Sequence, residues 1–351
     1  MNMLESVLPS FGFNDNDLTL VPLGEGLINH TWKVSVSGNE YILQRVNDHV
    51  FTKPQNIASN IRLIADYFTA NWPSYHFVAP LVAINGEDLL YIPSSGYYRM
   101  FPFVAGSHAK MVAQTPAQAY EAAIQFGRFT RLLCGLDISG LGITIPSFHN
   151  LGLRYEQFLT ALENGNKDRI TASTDLIEQV INNQSIVAVY TALLSDPQFK
   201  LRVTHHDTKI SNVLFDGHDK GLCVIDLDTV MPGYFISDVG DMLRTYLCPV
   251  SEEEKDYSKI EVRDDFYKAI INGYKEEMKN ELTEKENKYF FYAGKFMIYM
   301  QALRFITDHI NDDKYYGAKY EGQNLVRATN QMVLLQRYLE KEKDLGAYGE
   351  V

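Results

Sequence analysis

The sequence predicts an α+β chain in two lobes, a small β-rich N-terminal lobe and a larger helical C-terminal one. Three observations carry this. The 351 residues exceed what one hydrophobic core usually holds. Short β-rich runs separated by Gly-containing turns fill the first hundred residues. From about Pro116 onward, apolar positions recur at helical spacing. The expected boundaries are 1–100 for the N-lobe, 101–106 for a connecting hinge and 107–351 for the C-lobe.

The elements follow in order. Residues 18–23 are apolar, residues 31–36 alternate, and a Gly38-Asn39 turn leads into a β-rich run at 41–46, which together read as strands with a hairpin. Ile57, Ile61, Ile64 or Ala65, and Phe68 mark a helix over 54–70. Residues 78–92 read as a second hairpin turning at Asn85-Gly86, and 97–104 as an aromatic-rich strand. Ala122, Phe126, Phe129 and Leu133 form the first stripe of the helical part. Further helices are expected over 152–163, 175–195, 263–279, 283–307 and 321–342, around one β-like island at 203–228. The charged runs at 252–255 and 275–286 read as solvated surfaces.

Bulk composition excludes several classes. Net charge is −12 and no Lys/Arg block stands out, so nucleic acid is not the expected partner. Cys134, Cys223 and Cys248 are too far apart and too few for a disulfide framework or a CxxC metal pattern. They read as small apolar residues in a reducing compartment. The N-terminal residues do not resemble a signal peptide, and no apolar run has membrane-spanning length. A cytoplasmic protein without membrane contact is expected. The oligomeric state, monomer or dimer, is not readable.

The strongest chemical signal is His205-His206-Asp207-Thr208-Lys209-Ile210-Ser211-Asn212, followed by an apolar strand. An Asp and an Asn at this spacing between apolar strands resemble the catalytic loop of kinases. A carboxylate there accepts the proton of an acceptor hydroxyl, while an amide oxygen holds Mg²⁺ without adding charge. Further on, Cys223-Val224-Ile225-Asp226-Leu227-Asp228 ends an apolar strand in Asp226, a hard oxygen donor suited to Mg²⁺ on nucleotide phosphates. A metal cluster built on His205 and His206 is disfavoured, because adjacent strand residues point apart and no third His is close in sequence. His205 reads as a brace of the loop. Leu23-Gly24-Glu25-Gly26-Leu27-Ile28-Asn29-His30 lies between two expected strands. It reads either as a loop over phosphates, with Gly24 and Gly26 opening the backbone, or as a plain hairpin loop.

The stretches HHDTKISNVLFD, CVIDLDTVMPG and SDVGDMLRT resemble the aminoglycoside phosphotransferase and choline kinase superfamily, and within it the N-acetylhexosamine 1-kinases. The similarity extends through NHTW, YILQRVN, RMFPFVAG and ALRFITD, nearly the whole chain. It implies a protein-kinase-like two-lobed fold and ATP-dependent phosphorylation of a small molecule, a sugar at its anomeric hydroxyl. Asp207 would be the catalytic base, with Lys209 at the transferring group or the substrate. Asn212 and Asp226 would hold Mg²⁺. Phe101 and Phe103 belong to the hinge whose backbone would meet adenine. Lys209 and Arg304 would face the sugar, with Asn29 or His30 above it, and Asp238 and Asp241 would brace the catalytic loop. One departure stands out: the third strand ends Gln44-Arg45 where kinases carry a Lys, and residues 56–65 hold no Glu to pair with it. Arg45 can supply the charge; strand parity leaves Gln44 in competition. For Arg304, an ordinary solvated face with Gln301 and Asp308 competes with the sugar role. Choline, ethanolamine, homoserine or aminoglycoside acceptors, a protein kinase, and a nucleotide-binding scaffold are the rival readings.

Overall fold

A computed structural model describes residues 7–13, 18–23 and 28–348. In chain order its strands are β1 (Thr19–Pro22), β2 (His30–Val36), β3 (Asn39–Val46), β4 (Leu90–Ile92), β5 (Gly96–Pro102), β6 (His108–Ala109), β7 (Arg202–Thr204), β8 (Val213–Phe215), β9 (Gly221–Val224) and β10 (Met231–Gly233). Its longer helices are α1 (Pro54–Asn71), α2 (Pro116–Leu132), α3 (Leu151–Asn164), α4 (Lys167–Ala172), α5 (Thr174–Asn182), α6 (Ser185–Leu194), α7 (Phe235–Tyr246), α8 (Asp264–Met278), α9 (Glu284–Asn287), α10 (Phe290–Ile310) and α11 (Gln323–Glu340). This is a kinase-like fold, an N-terminal antiparallel sheet followed by a largely helical part. The chain divides into two compact units. One comprises Met1–Ala109, Leu132–Pro146 and Val213–Pro232; the other comprises Lys110–Arg131, Ser147–Asn212 and Gly233–Val351. Two C-terminal segments thus group with the N-terminal residues.

In the first unit the sheet runs β1-β2-β3-β5-β4, every pair antiparallel. One face buries Val34, Val36, Leu43, Tyr98 and Met100 against Val7, Leu8 and Phe11. The β2–β3 turn sits one residue earlier than the sequence suggests. Ser37 (φ 50°) and Gly38 (φ 78°) form it, and Asn39 already pairs with Val36. Two consecutive positive φ values match the twist of a two-residue hairpin turn. Residues 78–84 form no strand. Their turn closes as expected, Ala83 N–H donating to Glu87 C=O, but Pro80 lacks a donor and β4 pairs with β5 instead. Helix α1 starts at Pro54, whose fixed φ suits a first helical position, and buries Ile57, Ile61, Ile64 and Phe68. Strands β6, β8 and β9 form a second small sheet.

In the second unit α10 is buried around nearly its whole circumference, and α3, α7 and α11 pack on it. The expected helix over 175–195 breaks at 183–184 into α5 and α6. The one over 283–307 breaks at Tyr289, after a capping box between Thr283 and Glu286 that starts α9. Helix α7 has no counterpart in the sequence reading. Its Asp238 and Asp241 interrupt the apolar stripe, and both are buried for a reason given below. No helix among the described residues is long and apolar enough to cross a membrane.

Candidate active site

The segment 205–212, the candidate catalytic loop, leaves β7 at Thr204 and is held from α7. Asp238, fully buried, accepts the backbone N–H of His205 at 3.1 Å and of His206 at 2.8 Å. Thr208 donates its N–H to Asp241 Oδ2 at 2.9 Å and its hydroxyl to the Asp238 carbonyl at 2.7 Å. Tyr246, one turn on, donates its hydroxyl to the Thr208 carbonyl. Two aspartates inside an apolar helix are thus explained by the main-chain donors of the loop they carry. Burial, eased only in part by those two donors, pushes the Asp238 carboxyl up to about 7. The two histidines do point apart. The His205 ring lies edge-on to Phe126 and Phe129. His206, at φ 66°, turns its ring toward the Thr204 carbonyl and His149. Gly233 is required opposite it, because a Cβ there would collide with the His206 ring and Thr204 Oγ1.

Asp207 is brought together with Lys209, Nζ to Oδ1 at 2.9 Å, and with Asn212, whose amide donates to the Asp207 carbonyl at 2.8 Å. Burial works against the Asp207 charge. The Lys209 cation, His205 and the Asn212 amide more than offset it, so the carboxyl lies below the usual range. For Lys209 burial opposes the charge too, and Asp207 and Asp241 raise its pKa. The alternation of charge continues outward. Asp241 meets Arg244 at 3.0 Å, Arg244 meets Glu252 at 3.0 Å, and Glu252 meets Arg327 at 2.5 Å. Glu252 therefore departs from the solvated surface expected of 252–255; both its oxygens hold guanidinium groups.

In the first unit β8 and β9 pair so that Val213, the residue after Asn212, faces Val224, two before Asp226. Asp226 is exposed and left-handed, at φ 60° and ψ 60°. Asp228 is 2% exposed. Its Oδ2 accepts from Asn29 at 2.7 Å, and its Oδ1 lies 2.5 Å from Arg99 Nη2. Arg99 stands opposite Gln44 in the sheet register and donates to its Oε1 from Nε and Nη2. Gln44 thus lies with Arg99 on one face. Arg45, on the other, faces Tyr98 across the register and runs beside Gly96. Helix α1 holds no Glu, and its Asn60 is fully buried. Its amide accepts from Gly142 N–H and donates to the carbonyls of Gly142 and Val230. Gly24 and Gly26 lie outside the described residues. Phe103 is covered by Lys33, 4.4 Å from its ring centre, and Phe101 lies under Arg99.

Among the described residues no three His, Cys, Asp or Glu side chains cluster as a metal site. Mg²⁺ needs no such cluster, since it takes one or two carboxylates and completes its shell with water and phosphate oxygens. Asp226 offers a carboxylate, and the Asn212 amide, donating from its nitrogen, keeps its oxygen for a cation. These donors fit the ion.

A cavity of about 600 Å³ opens in the second unit, lined by Arg154, Gln157, Arg304, Asp308, Tyr315 and Tyr316 among others. Arg304 lies against the rings of Phe148, Tyr315 and Tyr316 and bonds Gln301 at 3.3 Å. It does not pair with Asp308, whose oxygens accept the N–H groups of Tyr315 and Tyr316 and the Asn324 amide. Phe148, which packs against Arg304, lies 6.4 Å from the His206 ring. Asn29 has both ends of its amide engaged, since its oxygen accepts the Asn47 N–H. His30 is exposed and stacks on Trp32. The sequence reading missed Arg99, Arg154 and Asp228. Alternation through 97–104 puts Arg99 and Phe101 on one face, a signal that was available for Arg99; Arg154 left none.

The fold matches solved structures over almost its full length. A microcompartment-associated aminopropanol kinase superposes with a TM-score of 0.64 at 15% identity, covering 98% of both chains. An aminoglycoside phosphotransferase from Alicyclobacillus acidocaldarius gives 0.60 at 12% identity, over 97% of this chain and 96% of that one. A choline kinase from Cryptosporidium parvum gives 0.57 at 14%, over 96% and 92%. Residues 19–278 match the phosphotransferase enzyme family model, so the protein belongs to that family and is an ATP-dependent phosphotransferase of small molecules.

Proposed function

We propose that the acceptor is an N-acetylhexosamine, phosphorylated at its anomeric hydroxyl. The observation that carries this reading is the pair Arg154 and Arg304 in the wall of the 600 Å³ cavity. Neither guanidinium has a carboxylate within ion-pair distance among the described residues; Arg154 donates to Gln157 and to the carbonyls of Ser147 and Phe148. Two cations without counter-charges repel choline, ethanolamine and aminoglycosides, all of which carry ammonium groups. Guanidinium donors and aromatic faces instead suit the hydroxyl and acyl oxygens of a neutral sugar.

In this reading Asp207 orients the acceptor hydroxyl and takes its proton as the oxygen attacks the terminal phosphorus of ATP. An anomeric hydroxyl is more acidic than an ordinary alcohol, which suits a base whose pKa is held low by Lys209. Lys209 keeps Asp207 ionised and steadies the transferring group. Asn212 and Asp226 would each supply an oxygen to Mg²⁺, and the ion would offset charge on the phosphates when bound. Gly24 and Gly26 contribute to the phosphate site, the backbone of the hinge at Phe101 and Phe103 to the adenine site, and His30 to the acceptor; Arg45, on the sheet face away from Arg99 and Asp228, and Asn29, whose amide is engaged at both ends, take no part.

The test is ATP turnover with N-acetylglucosamine, N-acetylgalactosamine, glucose, choline, homoserine and kanamycin, products being identified by phosphorus NMR. An anomeric phosphate from the N-acetylated sugars, lost in Asp207→Asn by about 10²–10⁴-fold with ATP still bound, is the expected result. Strong turnover of choline or kanamycin sinks the sugar reading. Turnover of nothing, with ATP bound, favours a scaffold.

A further inference from the structure

The chain lacks the strand Lys and helix Glu that kinases pair, yet a buried ion pair stands in its sheet. Asp226 adopts a left-handed backbone, uncommon for a residue with a Cβ, and such a conformation persists only where its surroundings over-determine it. The surroundings are on view. Two residues on, Asp228 is fixed through one oxygen by Arg99 and through the other by Asn29. Arg99, 3% exposed, is locked by two donations to Gln44, and Gln44 by Thr31. Asn29, the second described residue after the Gly-containing loop, is tied back to Asn47 N–H. On the far side the turn closes by Val230 N–H to Leu227 C=O, with the Val230 carbonyl held by Asn60. Asp228 is thus pinned to the sheet and Val230 to α1, on the C-terminal side of an exposed Asp226.

We propose that Asp228 and Arg99 are positioning residues: their buried pair holds Asp226 left-handed and so presents its carboxylate to the metal carried by the nucleotide. This rests on the reading of Asp226 as a metal ligand. Stability alone is a poor account of the pair, since a buried ion pair often contributes no more than an apolar replacement. Bridging two strands, the exit of a loop and the Asp226 turn is what an apolar replacement would not do.

The experiment measures ATP affinity by calorimetry, in Mg²⁺ and in EDTA, for wild type, Asp228→Asn and the exchange Asn29→Asp with Asp228→Asn. Asp228→Asn is expected to lose roughly tenfold in Mg²⁺ and less than twofold in EDTA. The exchange, which keeps one carboxylate and one amide in place, should recover most of the loss. Equal losses in both buffers, or none, overturn the proposal. A wild type without any Mg²⁺-dependent gain would instead remove the metal reading of Asp226. The pair would then be judged by a crystal structure of Asp228→Asn: residue 226 relaxing to negative φ supports the positioning role, and an unchanged left-handed residue refutes it.

Discussion

Asp238→Asn separates the two forces acting on the helix that carries the catalytic segment. Asp238 is fully buried and accepts two main-chain donors, which favour its charge, whereas burial and nearby Asp241 oppose it. Burial wins: the folded value is about 7 against 3.8 for the free side chain. The native state therefore keeps a proton that the unfolded chain has released, and stability falls as pH rises from about 3.8 to about 7, then levels off. Between pH 5 and pH 8 this amounts to about 2.5 kcal/mol, at about 1.36 kcal/mol per tenfold change in proton affinity. Asparagine does not titrate, but its NH₂ leaves one main-chain N–H unmatched, a loss of about 1–3 kcal/mol at every pH. The variant should thus be less stable than wild type at pH 5, and the gap should move in its favour by about 2.5 kcal/mol by pH 8. Denaturant unfolding at the two pH values, extrapolated linearly, measures it. A gap constant to within about 0.5 kcal/mol would mean that Asp238 is ionised throughout and that the two donors outweigh burial.

Three further variants test other parts of the site. Lys209→Met removes the cation that holds the Asp207 carboxyl low, so the acid limb of the pH dependence of kcat/KM should move to higher pH; an unmoved limb would mean that it reports another group. Gly233→Ala should displace Thr204 and His206 at a cost of about 1–3 kcal/mol, with kcat falling more than ATP affinity. Full activity and stability there would show that the loop relaxes freely. Arg202→Met leaves the fully buried Glu286 without its bidentate partner and should cost about 3–5 kcal/mol in chemical unfolding, without a specific effect on either substrate's KM.

The chemistry was legible where local spacing fixes it. Asp207, Lys209 and Asn212 fall within one short segment, so their proximity follows from chain geometry, and the structure joins them by direct contacts. The β-hairpin and the apolar stripes of α1 and α2 were legible for the same reason. What escaped depends on partners far along the chain. Arg99 and Asp228 are 129 residues apart, Asn29 and Asp228 are 199, and no periodicity announces either contact. Helix α7 was hidden because its buried aspartates interrupt the apolar stripe, although the resemblance already implied Asp238 and Asp241 as braces of the loop. Glu252 was misread as solvated for want of its partner Arg327, 75 residues away in the sequence.

Asn60 gives α1 a character of its own. A helix seated by a carboxylate on a lysine can be loosened by salt, by acid or by a competing anion. Here the seat is a neutral amide that satisfies three main-chain groups, none of which titrates or attracts ions. At Asn60 there is no charge to trade, so this contact should be indifferent to ionic conditions, unlike the Arg62–Asp88 ion pair on the same helix.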